Sequence, residues 1–234
     1  RAAAAMFEEI DPDHAREFAK DADAFSAAVE RSLAGCADQL KRPAMPASPY
    51  RRLDAGAIGS LACGYPTQLY EADDPRLLDC VEFLFARCFV KGAFCQDMIH
   101  SGLNAYLTLH VAQIMLRAGD PRYLELMDAV AALATSTGQW PEAIHPHTGG
   151  GCMGDGHHVW AAAEWILMVR NCFVREEKEQ LILGSGVPER WLEHNEPIRF
   201  GPAPTSFGPV SISIMPDSGH APRLEWQGDW YGHK

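Results

Sequence analysis

Gln113 to Glu125 reads QIMLRAGDPRYLE, and Gln68 to Asp79 reads QLYEADDPRLLD. Each segment leaves an apolar run, passes through Asp-Pro-Arg and enters another apolar run; the two prolines, Pro75 and Pro121, stand 46 residues apart. Proline lacks an N–H and has a fixed φ, so it is tolerated in the first turn of a helix, and both tripeptides read as helix starts. A repeat of this length holds one helical hairpin. Hairpins that cannot bury their inner faces alone must stack into an array or close into a ring.

The flanking segments alternate in the same way. From Asp13 to Leu40, apolar residues (Phe18, Ala22, Phe25, Val29, Leu33, Leu40) recur at steps of three, four and seven, predicting one long helix with a wet face. Ala57 to Tyr70 is small and apolar around most of its circumference, predicting an enclosed helix kinked at Pro66. Arg76 to Phe89 is striped again, Ser101 to Leu116 apolar nearly all round, Arg122 to Ala134 striped, and Gly156 to Val169 enclosed. Three half-buried helices therefore alternate with three buried ones.

The Asp-Pro-Arg turns out of the buried helices are short. The connections into them, residues 41–56, 90–100 and 135–155, are long. All three long loops are expected on one rim, at the N-termini of the inner helices, where helix dipoles favour negative charge and a rigid frame can carry functional loops. Beyond Lys178 the pattern becomes short runs bounded by Gly and Pro. Val210, Ile212 and Ile214 alternate with Ser211 and Ser213 at strand spacing, and Arg223 to Trp226 suggests another strand. The expected division is a helical domain over 1–178 and a small β-rich tail over 179–234.

The composition suits a packed core: 47% of the 234 residues are apolar. A net charge of -11 with no basic cluster argues against nucleic acid as partner. No apolar run approaches the roughly 20 residues that span a bilayer, so no membrane partner is expected. Seven cysteines, odd in number and without CxxC, point to reduced thiols and a cytoplasmic setting.

The candidate chemistry gathers in Trp140 to Trp165, WPEAIHPHTGGGCMGDGHHVWAAAEW. Its glycines let the chain approach a ligand closely, and Glu142 is the carboxylate it presents. Trp140 is expected to offer a flat face to a sugar ring. His145, His147, His157 and His158, with Cys152 and Asp155, are zinc-ligand types, yet neither HxxxH nor HExxH occurs. The histidines are therefore read as groups orienting a polar ligand, with no metal and no cofactor, and Asp155 as a helix N-cap. Asp54, and Asp97 with His100, occupy equivalent positions before buried helices. Carboxylates meeting across such a rim can serve as acid and base on a glycosidic bond. GxSxG and P-loop patterns are missing from the sequence, and the glycines after His147, although Gly149, Gly151 and Gly154 fall at GxGxxG spacing, follow no strand expected from the sequence.

WPEAIHPHTGGG followed by GHHVWAAAEWILM and then a β segment resembles the six-hairpin glycosidases, particularly glucoamylases and glycogen-debranching glucosidases. The resemblance is firmest over 138–170. It implies a mainly α fold, three of the six hairpins of an (α/α) toroid followed by a small antiparallel β segment, with the other hairpins on a missing N-terminal half of the same protein. It assigns Glu142 as the catalytic base and matches Trp160, Ala163 and Glu164 to the inner helix that follows. No segment matches the general acid, which leaves Asp97 and Asp54 beside Glu142 as catalytic carboxylates. Trp140, His145, His157, His158, His100, Asn104 and Trp160 are the expected substrate-binding residues. The function implied is glycoside hydrolysis of an α-linked oligosaccharide or polysaccharide. The alternatives are a non-catalytic carbohydrate-binding or assembly module and a sugar epimerase-like enzyme using histidines as acid and base.

Overall fold

The Asp11 side chain accepts the His14 N–H and Pro12 fills the first turn, so the long helix starts where its stripe starts. In a computed structural model that describes all residues except 51, 98–101, 194–195, 218–219 and 233–234, this is α2 (Pro12–Leu40), preceded by a short α1 (Ala2–Phe7). Of α2 only Ala15 and Cys36 are buried, and Phe18 and Phe25 stay exposed. The stripe is real but largely uncovered.

The segment expected as a kinked helix to Tyr70 is a 3-10 helix, Ala55–Cys63, capped by Asp54 through the Gly56 N–H. It ends before Pro66 because the residue preceding a proline is pushed out of the α region. The first Asp-Pro-Arg turn starts its helix as read, with Asp74 capping α3 (Pro75–Cys88); at the second, α5 (Tyr123–Ala132) begins later, with Arg122 as its N-cap and Pro121 outside it. The repeat extends to side chains. Asp74 and Asp120 each accept the backbone N–H and the guanidinium of the arginine two residues on, Arg76 and Arg122. Arg76 then bonds Glu30 on α2 and Arg122 bonds Glu82 on α3, so each turn is tied to the outer helix before it.

Helix α4 (Ala105–Ala118) is the centre of the core, with eleven of its residues buried, from Ala105 to Leu116. Its N-cap is Asn104, three residues into the apolar run that begins at Ser101, which lies outside the described residues; Gly119 ends it at φ 73, a conformation that favours glycine. It packs against α5 and against α6 (Val159–Phe173). Helix α6 departs from the expectation of full enclosure, since Val159 is 78% and Ile166 66% exposed. Helix α4 covers one flank and β strands its C-terminal end, while the opposite flank stays open.

The expected class, mainly α with strands confined to the tail, is overturned. The chain is mixed α/β, 45% helical with 17% strand in three sheets. Two of the three loops leading into the inner helices pair with one another: β1 (Phe89–Val90), β2 (Ala93–Gln96), β3 (Gly102–Leu103), β4 (Ala143–Ile144) and β5 (Gly151–Met153) form a five-stranded antiparallel sheet in that order, to which the described residues of the loop over 41–56 add no strand. Strands of two to four residues are too short to show alternation, and the β3–β4 pairing that joins the two hairpin regions spans some forty positions.

The break placed after residue 178 falls on the turn of a hairpin between β6 (Val174–Glu177) and β7 (Gln180–Leu183). A three-stranded sheet follows, in the order β10 (Arg223–Gly228), β9 (Val210–Met215), β8 (Ile198–Ala203), with Val210, Ile212 and Ile214 buried as their alternation predicts. The second core begins at Phe173, and Val169 and Trp191 pack against both cores. Arg117, at the end of α4, makes a bidentate bond to Glu177 on β6. Among the described residues no helix is long and apolar enough to cross a membrane, and Cys36, Cys63, Cys80, Cys88, Cys95 and Cys172 are free thiols.

Candidate functional site

Two backbone bonds clip the Trp140 segment to the start of α6: Glu142 N–H donates to Asp155 O at 3.0 Å, and His158 N–H donates to Trp140 O at 2.9 Å. A third contact comes from the N-cap of α4, where Asn104 Oδ1 accepts the Leu107 N–H and Nδ2 donates to Glu142 O at 3.2 Å. Asn104, 1% exposed, therefore fixes the backbone of Glu142 instead of facing a ligand. Gly154, at φ 67, lies directly over the Glu142 side chain: a Cβ there would come within 2.7 Å of Glu142 Cδ. The clip brings three side chains together. A carboxylate oxygen of Glu142, one of Asp155 and a ring nitrogen of His158 all lie within 4.8 Å of one another.

His158 is the N-cap residue of α6 and makes no side-chain cap bond, and Asp155 lies outside the helix. The expectation of Asp155 as N-cap is thus corrected: the helix starts later, and its carboxylate faces His158 Nδ1 at 3.4 Å. The other nitrogen, Nε2, is buried without a hydrogen-bond partner.

Beside this trio stands an aromatic pair. Tyr106 stacks on Trp160 with centroids 4.4 Å apart, and the His158 ring lies 5.0 Å from Tyr106 and 6.5 Å from Trp160. Trp160 is 48% exposed, so the edge of the stack is open to solvent. Beneath it the buried Glu164 carboxylate accepts Tyr65 OH at 3.2 Å and Trp160 Nε1 at 3.3 Å, and contacts His110 Nε2 at 3.1 Å. Burial and then the neighbouring Glu164 charge hold the Tyr65 phenol far above its ordinary pKa.

Tyr106, His110 and Tyr65 were not anticipated, although a signal existed. Tyr106 and Trp160 each stand two residues past the caps of α4 and α6, while His110 and Glu164 each stand six past. The two helices run side by side in register, so aligning them on their caps pairs the contacting residues.

The remaining expected residues scatter. Trp140 is 4% exposed, its indole N–H donates to Val130 O at 2.8 Å and its ring sits against Trp165, leaving no open face for a sugar. His145 Nδ1 accepts the His147 and Thr148 N–H groups at 3.2 Å, a turn-forming role. His157 is exposed and bonds the Gln139 amide at 2.8 Å. His100 lies outside the described residues. Asp54 and Asp97 do come together, lining a hollow of about 530 Å³ with Arg52, Phe83, Arg87 and Cys88. Burial raises the pKa of the Cys88 thiol, with Asp97 and Asp54 adding to the effect.

Glu142 does not line that hollow. Strand register explains the separation. Cys95 faces Leu103, which faces Ile144, so β2 and β4 run the same way with one strand between them. Asp97 follows Cys95 by two residues, whereas Glu142 precedes Ile144 by two. At strand spacings of about 4.8 Å and rises of about 3.3 Å, their Cα atoms stand roughly 16 Å apart.

Comparison with protein-family models, with curated proteins and with solved structures finds no match to this chain.

Proposed function

We propose that the rim built from Glu142, His158, Tyr106 and Trp160 binds an α-linked oligosaccharide and hydrolyses a glycosidic bond, with Glu142 taking the proton of the attacking water. One observation carries this reading. Glu142 lies within 4.8 Å of His158, whose ring is 6.5 Å from the half-exposed Trp160, so a polar catalytic group and an aromatic platform share one open surface. Such a platform suits the apolar face of a sugar ring while carboxylate and imidazole address its hydroxyls. The resemblance of WPEAIHPHTGGG to glycosidase sequence supports the role given to Glu142.

The test is hydrolysis of a panel of α-linked oligosaccharides by the chain and by Glu142→Gln. A general base contributes about 10²–10⁴-fold, so the variant is expected to lose at least a hundredfold in kcat with KM little changed. Undiminished turnover by Glu142→Gln sinks the assignment.

A second reading, a carbohydrate-binding module without turnover, is favoured by the position of Asp54 and Asp97. These carboxylates, which would supply the acid, line a hollow that Glu142 does not share. Glycosidases hold their carboxyl pair about 5–5.5 Å apart to retain configuration and about 6.5–9.5 Å apart to invert it. Oligosaccharide binding by calorimetry with no product from any substrate would select this second reading.

A further inference from the structure

We infer that Glu142, Asp155 and His158 form a binding site for a divalent transition-metal cation, with zinc as the best match to the donor set. This inference goes beyond the carbohydrate reading and does not depend on it.

Three separate features point the same way. The first is donor chemistry: one imidazole and two carboxylates from three residues are the ligand number and types of an open zinc site, which leaves a position for water. The imidazole favours zinc, copper, iron or nickel over magnesium, calcium and manganese, which suit oxygen ligands.

The second is spacing. Bonds of about 2.0–2.2 Å place neighbouring ligand atoms of a tetrahedral site roughly 3.3–3.6 Å apart. His158 Nδ1 and Asp155 Oδ2 stand 3.4 Å apart, and the whole trio falls within 4.8 Å. At 3.4 Å the pair is long for a charge-assisted hydrogen bond, usually about 2.7–2.9 Å, but matches the edge of a tetrahedron. Glu142 and Asp155 are also close for two like charges, an arrangement that a cation between them relieves.

The third is the state of His158. Its side chain is 14% exposed, one ring nitrogen has only this long contact, and the other is buried with no partner. A metal–nitrogen bond at Nδ1 would replace this long contact with a strong one, while Nε2, on the other side of the ring, stays outside the trio. The scaffold holds the trio without relying on a cation. The Glu142 N–H to Asp155 O and His158 N–H to Trp140 O bonds join the two segments, and Gly154 leaves room for the Glu142 carboxylate.

The experiment titrates the full chain with Zn²⁺ in competition with a chelating dye, which reads binding without any turnover. One equivalent per chain is expected, with Asp155→Asn, His158→Ala and Glu142→Gln each weakening affinity at least tenfold, while His147→Ala and His157→Ala bind as the parent does. Far-UV circular dichroism checks each variant. If His158→Ala misfolds, Asp155→Asn carries the test, since its carboxylate is 63% exposed. Binding well below one equivalent, or loss of the ion in His147→Ala or His157→Ala while Asp155→Asn keeps it, overturns the proposal. Failure of the glycosidase reading leaves this result unaffected, because no sugar enters the measurement.

Discussion

Gly154 and Glu142 occupy adjoining space: a side chain at Gly154 would meet the Glu142 carboxylate, and the backbone at Gly154 is left-handed. Gly154→Ala is therefore expected to push Glu142 out of the trio and to add about 1–2 kcal/mol of backbone strain. Its effect on Zn²⁺ affinity should match that of Glu142→Gln, with the far-UV spectrum preserved. Parent-like affinity in Gly154→Ala would mean the glycine serves only the turn.

Trp140 and Trp160 should separate stability from binding. Trp140→Phe removes the indole bond to Val130 O, which keeps the Leu133 N–H at 3.1 Å, and is expected to cost about 0.5–1.5 kcal/mol in urea unfolding while leaving oligosaccharide affinity intact. Trp160→Ala should do the reverse, weakening affinity with a smaller loss of stability, since its ring is half exposed. Weaker sugar binding in Trp140→Phe at full stability would restore Trp140 to the binding face.

Arg122 holds the Asp120 carboxyl below the ordinary carboxylate range, first through the side-chain bond and then despite desolvation. A depressed pKa contributes stability that is complete above the unfolded value, about 3.9, and is lost as pH falls through the folded one. Asp120→Asn is thus expected to be less stable than the parent by a constant amount from pH 7 to pH 5, with the gap closing below about pH 4. A gap that widens in acid contradicts the pairing.

Glu164 anchors Tyr65, His110 and Trp160 from one buried carboxylate. Glu164→Leu orphans these partners and should cost about 2–4 kcal/mol, since each buried group left unpaired is expensive. Glu164→Gln keeps an acceptor and should recover part of this loss. Differential scanning calorimetry of the two variants distinguishes a bonding role from simple packing, for which Leu would match Gln.

Much of the helical frame was legible because its signals are local. Asp11-Pro12 and Asp74-Pro75 start helices by their own geometry, and the tail strand at Val210 announces itself by alternation. The rim sheet was not legible, since β3 and β4 have two residues each and gain meaning only by pairing across some forty positions. The site was half legible. The glycine-rich loop marks Glu142, but whether Trp140 faces a ligand or Val130 O depends on packing that no residue spacing encodes. Asp155 looked like a cap because a helix was expected from Gly156; the helix begins three residues later, which turned a capping carboxylate into a neighbour of His158.

Val169 and Trp191 each touch both hydrophobic cores, and the β6–β7 hairpin starts where α6 stops. A protease nick between Lys178 and Glu179 would therefore cut the polypeptide without releasing either part. The fragments should co-elute and melt in a single transition, because each keeps one wall of the other's interior.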